Sequence, residues 1–141
     1  MADQPPPRLV VDPGVLISAI ISPLGPSADL LRAIRDDRIV LVASPKLLGE
    51  LRTVLAREKF RRYLSTDEAD EYVDGLRVVC ELIDDPPDPP SVTRDPNDDY
   101  LVAVANAAGV DALASGDQDL LVLASPRVLT PRQSLDLVED R

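Results

Sequence analysis

Apolar residues along this chain follow two rhythms. Short unbroken runs rich in β-branched residues alternate with stretches in which apolar positions return every three or four residues. The first rhythm is that of buried strands and the second that of helices. Arg8 to Asp12 (Arg-Leu-Val-Val-Asp) predicts a strand that ends at an acid and is stopped by Pro13-Gly14. Val15 to Ile21 is apolar apart from Ser18 and predicts a short buried helix before the loop Ser22-Pro-Leu-Gly-Pro26. Ser27 is expected to cap a helix running to about Asp37, with Ala28, Leu31 and Ile34 at helical spacing. Ile39 to Ala43 reads as a second central strand.

Ser44-Pro45 has the form of a helix start, serine as N-cap and proline at the first helical position. Leu47, Leu48, Leu51, Val54 and Leu55 follow on one stripe. Ser65 and Glu68 have capping-box spacing and open a helix with Ala69, Tyr72, Val73, Leu76 and Val79 on its apolar face. Between Val78 and Ile83 the pattern switches toward a third strand. Residues Asp84 to Pro96 hold five of the fourteen prolines and read as a surface loop. Asn97 is expected to cap a helix to Ala108, closed by Gly109. A strand over Asp111 to Ser115, a turn at Gly116, a short helix over Asp117 to Leu123, a strand over Arg127 to Leu129 and a helix from Thr130-Pro131 to Leu137 complete the chain. Such alternation predicts an α/β fold with a mostly parallel sheet.

Composition narrows the chemistry. At 141 residues the chain is expected to form a single domain over 1–141, with residues 1–7 as a flexible N-terminus. No apolar run reaches the ~20 residues of a membrane span, and the N-terminus lacks a signal-peptide pattern, so a cytoplasmic protein without membrane association is expected. The lone Cys80 cannot form an internal disulfide. With no histidine, Ser-His-Asp triads and His-paired cysteines are excluded, and so is a zinc site of the usual ligands. Carboxylate remains in quantity: 25 acids against 15 bases, a net charge of −10. Oxygen-only ligands suit hard cations such as Mg²⁺ or Mn²⁺.

Two acids stand where strands of a parallel sheet end, which is where such sheets bind ligands. Asp12 follows the first strand and Asp117 follows the strand ending at Ser115. Either could instead simply cap a helix or form a turn. Asp98 shares the helical stripe of Leu101 and Ala105, whereas Asp99 is rotated about 100° toward solvent or the stripe's edge. Asp95, outside the helix, is expected to cap or brace the loop. Glu50 lies within the apolar stripe from Leu47 to Leu55, where a carboxylate is costly unless paired or metal-bound; the alternatives are that it snorkels at the stripe's edge or pairs with Arg52 or Arg57 across the surface. Converging carboxylates repel one another unless a cation joins them, and with one or two Mg²⁺ they can hydrolyse a phosphate ester.

These residues give the chain a family likeness. It resembles the PIN-domain ribonucleases, particularly VapC-like toxins of toxin–antitoxin systems, in four stretches: Leu9 to Ser22, Ser44 to Leu55, Arg94 to Leu101 and Ser115 to Leu121. The resemblance implies a three-layer α/β/α fold with four to five central strands and an Mg²⁺ or Mn²⁺ site cleaving single-stranded RNA. By position, it implies catalytic roles for Asp12, Glu50, Asp98 and Asp117, metal binding by Asp12, Asp98, Asp117 and Asp119, and a supporting role for Ser115. The first motif departs from the usual Asp-Thr-Asn or Asp-Thr-Ser: Asp12-Pro13-Gly14 lacks two polar side chains and a backbone donor. A weakly active PIN-fold protein that serves as a binding partner is therefore the second reading.

Arg52, Arg57, Lys59, Arg61 and Arg62 place five of the 15 basic residues within 11 positions, a candidate surface for RNA phosphates or else a solvated helix end. The resemblance also implies a homodimer and a small antitoxin that inserts a basic side chain among the acids. Two other acidic-site classes fit less well. A phosphoacceptor receiver needs a lysine at a strand end, and the two lysines, Lys46 and Lys59, fall elsewhere. A haloacid-dehalogenase-type phosphatase needs an acid where Gly14 stands.

Overall fold

Leu9, Val10 and Val11 are all fully buried, although successive side chains on a strand point to opposite faces. Both faces of the sheet are therefore covered. The computed structural model describes residues 5–123 and 125–139. Strands β1 (Arg8–Val11), β2 (Val40–Ala43), β3 (Glu81–Leu82), β4 (Ala112–Ala114) and β5 (Val128–Leu129) form one sheet in the order β3-β2-β1-β4-β5, every neighbouring pair parallel. Among the described residues the helices are α1 (Pro13–Ile21), α2 (Pro26–Arg35), α3 (Pro45–Leu55), α4 (Thr66–Val79), α5 (Asp99–Ala108), α6 (Gln118–Leu121) and α7 (Pro131–Glu139). None is long and apolar enough to cross a membrane by itself.

The chain winds outward from β1 through β2 to β3, then crosses back to β4 and β5. The order reverses between β1 and β4, and that reversal opens a crevice at the strands' carboxyl ends. Leu41 and Val42 of β2, Leu113 of β4 and the α3 stripe Leu47, Leu48, Leu51 and Leu55 fill the core around it.

Local chemistry explains most boundaries. Ser44 is fully buried and its Oγ accepts from the Leu47 N–H at 3.3 Å, so it caps α3 as its sequence suggests. Ser44→Ala should lower the unfolding free energy by about 1 kcal/mol, a fall of roughly 4 °C in Tm, and Ser44→Asp should recover most of it; an Ala variant as stable as the parent in a calorimetric scan would contradict that role. Ser65 and Glu68 close the expected capping box on α4. Thr130 and Gln133 exchange the same pair of bonds at α7. Gly109 ends α5 at φ 60°, the left-handed region where a side chain is strained.

Three expectations change. Helix α2 begins at Pro26 with Gly25 as its N-cap, so Ser27 lies inside the first turn rather than capping it. Proline at the first position fixes the start one residue earlier. Asn97 caps nothing: Pro96–Asp98 form a 3₁₀ turn whose cap is Asp95, and α5 starts at Asp99. Of the N-terminal segment expected to be flexible, Pro7 is buried and its carbonyl accepts the Val40 N–H at 2.9 Å, tying it to β2. Residues 1–4 lie outside the described residues.

Candidate metal-binding active site

Asp12 leaves β1 with its backbone still paired to the sheet, N–H to Ala114 carbonyl at 2.9 Å. Its side chain turns to cap α1, Oδ1 accepting from the Gly14 N–H at 2.9 Å. The Pro13-Gly14 departure thus keeps the backbone donor that grips this acid. Ser115, fully buried at the end of β4, donates its Oγ–H to Asp12 Oδ2 at 2.8 Å and accepts the Asp117 N–H at 3.0 Å. One hydroxyl therefore ties the acids of two neighbouring strand ends together. Asp117 in turn caps α6, its Oδ1 accepting from the Asp119 N–H at 2.9 Å. Both acids cap helices and both also line a cleft, so the two readings of their position do not compete.

Asp12, Asp117, Asp98 and Asp95 line a cleft of about 450 Å³ together with Gly14, Val15, Ser18, Ser27 and Gly116. Asp98 is the N-cap residue of α5 yet makes no side-chain capping bond. Burial first, then the charges of Asp12, Asp95, Asp117 and Glu50, push its carboxyl up to about 6. Glu50 is half-buried on α3 outside that lining and accepts a hydrogen bond from the Tyr100 hydroxyl through Oε2. Burial first and then Glu50 hold the Tyr100 phenol well above its ordinary range, so it stays a donor.

Asp98 is half-buried on the cleft, as its inward phase suggests, but Asp99 is buried as well. Asp99, expected toward solvent or the stripe's edge, is 4% exposed, and its Oδ1 accepts from the Val92 N–H, the Thr93 N–H and the Thr93 Oγ–H at 3.1, 2.9 and 2.7 Å. The Thr93 hydroxyl chiefly holds its carboxyl below the usual range. It braces the proline-rich loop, while Asp95 caps the 3₁₀ turn, as expected of it, and also faces the cleft. The cause of Asp99's burial is that α5 has no single apolar stripe: every residue from Asp99 to Ala105 is buried, so the helix is covered all round where Asp99 begins it.

Other placements differ from the expected site. Asp119 does not line the cleft; Arg94 approaches its Oδ1 at 3.7 Å. Glu50 pairs with neither Arg52 nor Arg57. Arg52 is bound to Asp70 and Asp74 of α4 at 2.7 and 2.6 Å, and Arg61 binds the Leu55 carbonyl and the Thr66 hydroxyl. Those two cations hold helices together. Arg57 is exposed, while Lys59 lies over Phe60 and Arg62 over Tyr63. Ser18, Ser27 and Asp95 line the cleft, although sequence reading assigned Ser27 and Asp95 only capping or bracing roles and Ser18 none. For Ser18 a signal existed: it is an isolated polar residue in an apolar run, one helical turn after Gly14.

Among the described residues no three acidic, cysteine or histidine side chains are gathered tightly enough to cage a metal ion. The acids nevertheless suit a hydrated cation. Mg²⁺ is typically held by one or two carboxylates while water completes its octahedron, and a cleft of this volume has room for that water. The raised Asp98 marks where positive charge is wanted. Because protons and cations compete for Asp98, Mn²⁺ affinity should be constant above pH 7 and fall as pH drops through 6. Calorimetric titration at pH 5, 6 and 7.5 checks it, and equal affinity at all three would contradict the assignment.

The fold and the cleft together define an α/β protein with a carboxylate site at the switch point of a parallel sheet. Comparison with known proteins makes this specific: the PIN domain family model matches residues 8–119. The chain belongs to the PIN domain family, whose members are generally nucleases that use divalent metals. Its relatives include the uncharacterized protein MJ1680 of Methanocaldococcus jannaschii, 29% identical over 116 residues, covering 82% of this chain and 74% of that protein. The crystal structure of PAE2754 from Pyrobaculum aerophilum is similar with a TM-score of 0.63 at 17% identity, covering 95% of this chain and 90% of that one. A chain of VapBC2 from Rickettsia felis, solved bound to a DNA fragment from their promoter, is similar with a TM-score of 0.62 at 12% identity, covering 87% and 98%. The α/β/α fold expected from the sequence is the fold of these structures.

Proposed function

We propose that this chain is a divalent-cation-dependent endoribonuclease that cleaves single-stranded RNA in the Asp12, Asp98 and Asp117 cleft, as the toxin of a toxin–antitoxin pair. The observation that carries the proposal is the convergence of those acids on one cleft, with the Asp98 carboxyl raised to about 6 and making no capping hydrogen bond. A bound Mg²⁺ or Mn²⁺ would supply Lewis acidity at the scissile phosphate and a water of lowered pKa. Asp12, Asp98 and Asp117 would hold it. Ser115 fixes the first and third of these relative to each other, and Glu50 adds negative charge at the margin. A cation there reverses the local sign, so a chain of net charge −10 can admit a polyanion.

The test is incubation of the purified chain with single-stranded RNA, duplex RNA and single-stranded DNA, with Mg²⁺, Mn²⁺ or EDTA. Cleavage of single-stranded RNA alone, stopped by EDTA, supports the reading. Cleavage that persists in EDTA, or none on any substrate, removes it and favours a PIN-fold binding protein. The toxin role extends the same proposal: an antitoxin with a basic side chain would complement the acids, and a toxin homodimer would present two such sites. Arrest of growth on expression, relieved by co-expressing a small neighbouring reading frame, is the expected result; normal growth would contradict it.

A further inference from the structure

Beside the cleft, Tyr100 of α5 is used on two sides. Its hydroxyl donates to Glu50 Oε2 on α3, bridging two helices across 50 positions of sequence. Its ring carries the Lys46 ammonium 4.7 Å from the centroid. Glu50 Oε1 is left without a hydrogen bond from the described residues. Lys46 is exposed, and among the described residues its ammonium forms no ion pair, although Asp12, Asp85 and Glu50 all act on the tyrosine beneath it. It also stands in the first turn of α3, where the helix dipole favours an acid over a base. Its backbone is fixed there by Asp85, whose Oδ2 accepts the Lys46 N–H at 2.9 Å. The carboxylates of Asp12, Asp85 and Glu50 favour a cation here, and because the Lys46 ammonium is stacked on the ring rather than held in an ion pair, it is open to a further anion beside the cleft.

Resting on the nuclease reading above, we propose that Tyr100 is the positioning residue of Glu50, and that the Lys46 it carries contacts an RNA phosphate flanking the cleavage point. The hydroxyl holds Oε2 and thereby fixes the carboxylate's rotamer, leaving Oε1 to interact with the cation or its water. The buried ring holds the lysine's ammonium over its face. A cation–π contact of this kind is worth about 0.5–1 kcal/mol at an exposed site, enough to orient the ammonium and too little to prevent its engaging a phosphate.

Two variants separate the functions of the tyrosine's two sides. Tyr100→Phe keeps the ring and removes the hydroxyl; Lys46→Gln keeps the stem and removes the charge. Calorimetric Mn²⁺ titration without RNA should show roughly tenfold weaker binding for Tyr100→Phe, the usual size of such an outer contact, with Lys46→Gln within twofold of the parent. With a fluorescein-labelled single-stranded RNA, Tyr100→Phe should lose kcat with little change in KM. Lys46→Gln should raise KM several-fold and reduce the slope of log KM against log salt by about 0.7, the loss of one single-strand phosphate contact; Lys46→Arg should restore both. A Tyr100→Phe protein that loses only Tm, with Mn²⁺ affinity and kcat intact, overturns the positioning role. Unchanged KM and salt slope in Lys46→Gln overturn the phosphate contact. If the parent binds Mn²⁺ but cleaves no RNA, weaker binding by Tyr100→Phe upholds the positioning role while the nuclease reading and the Lys46 contact fall. If the parent binds no Mn²⁺, all three fall.

Discussion

Asp98→Asn is expected to abolish cleavage and, in the same molecule, to stabilise the cation-free fold. The two effects have one origin. Asp98 lies among Asp12, Asp95, Asp117 and Glu50, partly desolvated, and its carboxyl is raised from 3.8 to about 6. Because the folded-state value lies above the unfolded one, the folded protein holds the proton more tightly. The group's stabilising contribution is complete below pH 4 and is lost as pH rises through 6. At pH 7.5 the parent therefore folds against this repulsion, and asparagine removes it. A shift of that size would correspond to about 3 kcal/mol for a fully shielded group; solvent screening of a partly exposed carboxylate reduces it to on the order of 1 kcal/mol. Activity moves the other way. Without a ligand for the cation, cleavage should fall at least roughly a hundredfold. Denaturation in EDTA and a cleavage assay in Mn²⁺ check both arms. An Asp98→Asn protein that is less stable in EDTA, or that cleaves as the parent does, would contradict the assignment.

Leu113→Ala should produce the largest loss of stability. Leu113 is fully buried at the centre of β4, paired in register with Val10 on one side and Val128 on the other. Removing a leucine side chain from such a site costs about 2–5 kcal/mol, the upper end applying where the surroundings cannot collapse. Flanking parallel strands resist collapse. Against a typical total of about 5–15 kcal/mol, the variant is expected to be marginal at 37 °C. Because β4 also delivers Ser115 to the cleft, cation affinity should weaken well below the melting temperature. A loss under 1 kcal/mol by urea denaturation would show that β4 is not held as described.

The strands were legible because β1, β2 and β4 are short apolar runs between turn-forming residues, the pattern of strands in a doubly covered sheet. Asp12 and Asp117 were legible for the same reason: a strand's end can be located from its run. Glu50 stood out as a charge within an apolar stripe, but its partner did not. Tyr100 is fifty residues away, and pairing across that distance leaves no trace in local periodicity. The burial of Asp99, expected toward solvent or the stripe's edge, was not legible: phase analysis assumes one buried face, and the first half of α5 is covered all round. Asp98 was still the acid singled out for the site, and the structure places it on the cleft. The basic run from Arg52 to Arg62 shows the limit of charge counting. Charge can be counted from sequence, but its commitment to Asp70, Asp74 and backbone carbonyls becomes visible only once α3 and α4 pack.

Diffraction from crystals soaked in Mn²⁺, collected at an energy where manganese scatters anomalously, tests the central claim most directly. The account predicts an anomalous peak in the cleft within about 2.0–2.4 Å of carboxylate oxygens from two or more of Asp12, Asp98 and Asp117, absent from Asp98→Asn crystals. A cleft without a peak at millimolar Mn²⁺, or a peak unaffected by that substitution, would contradict it.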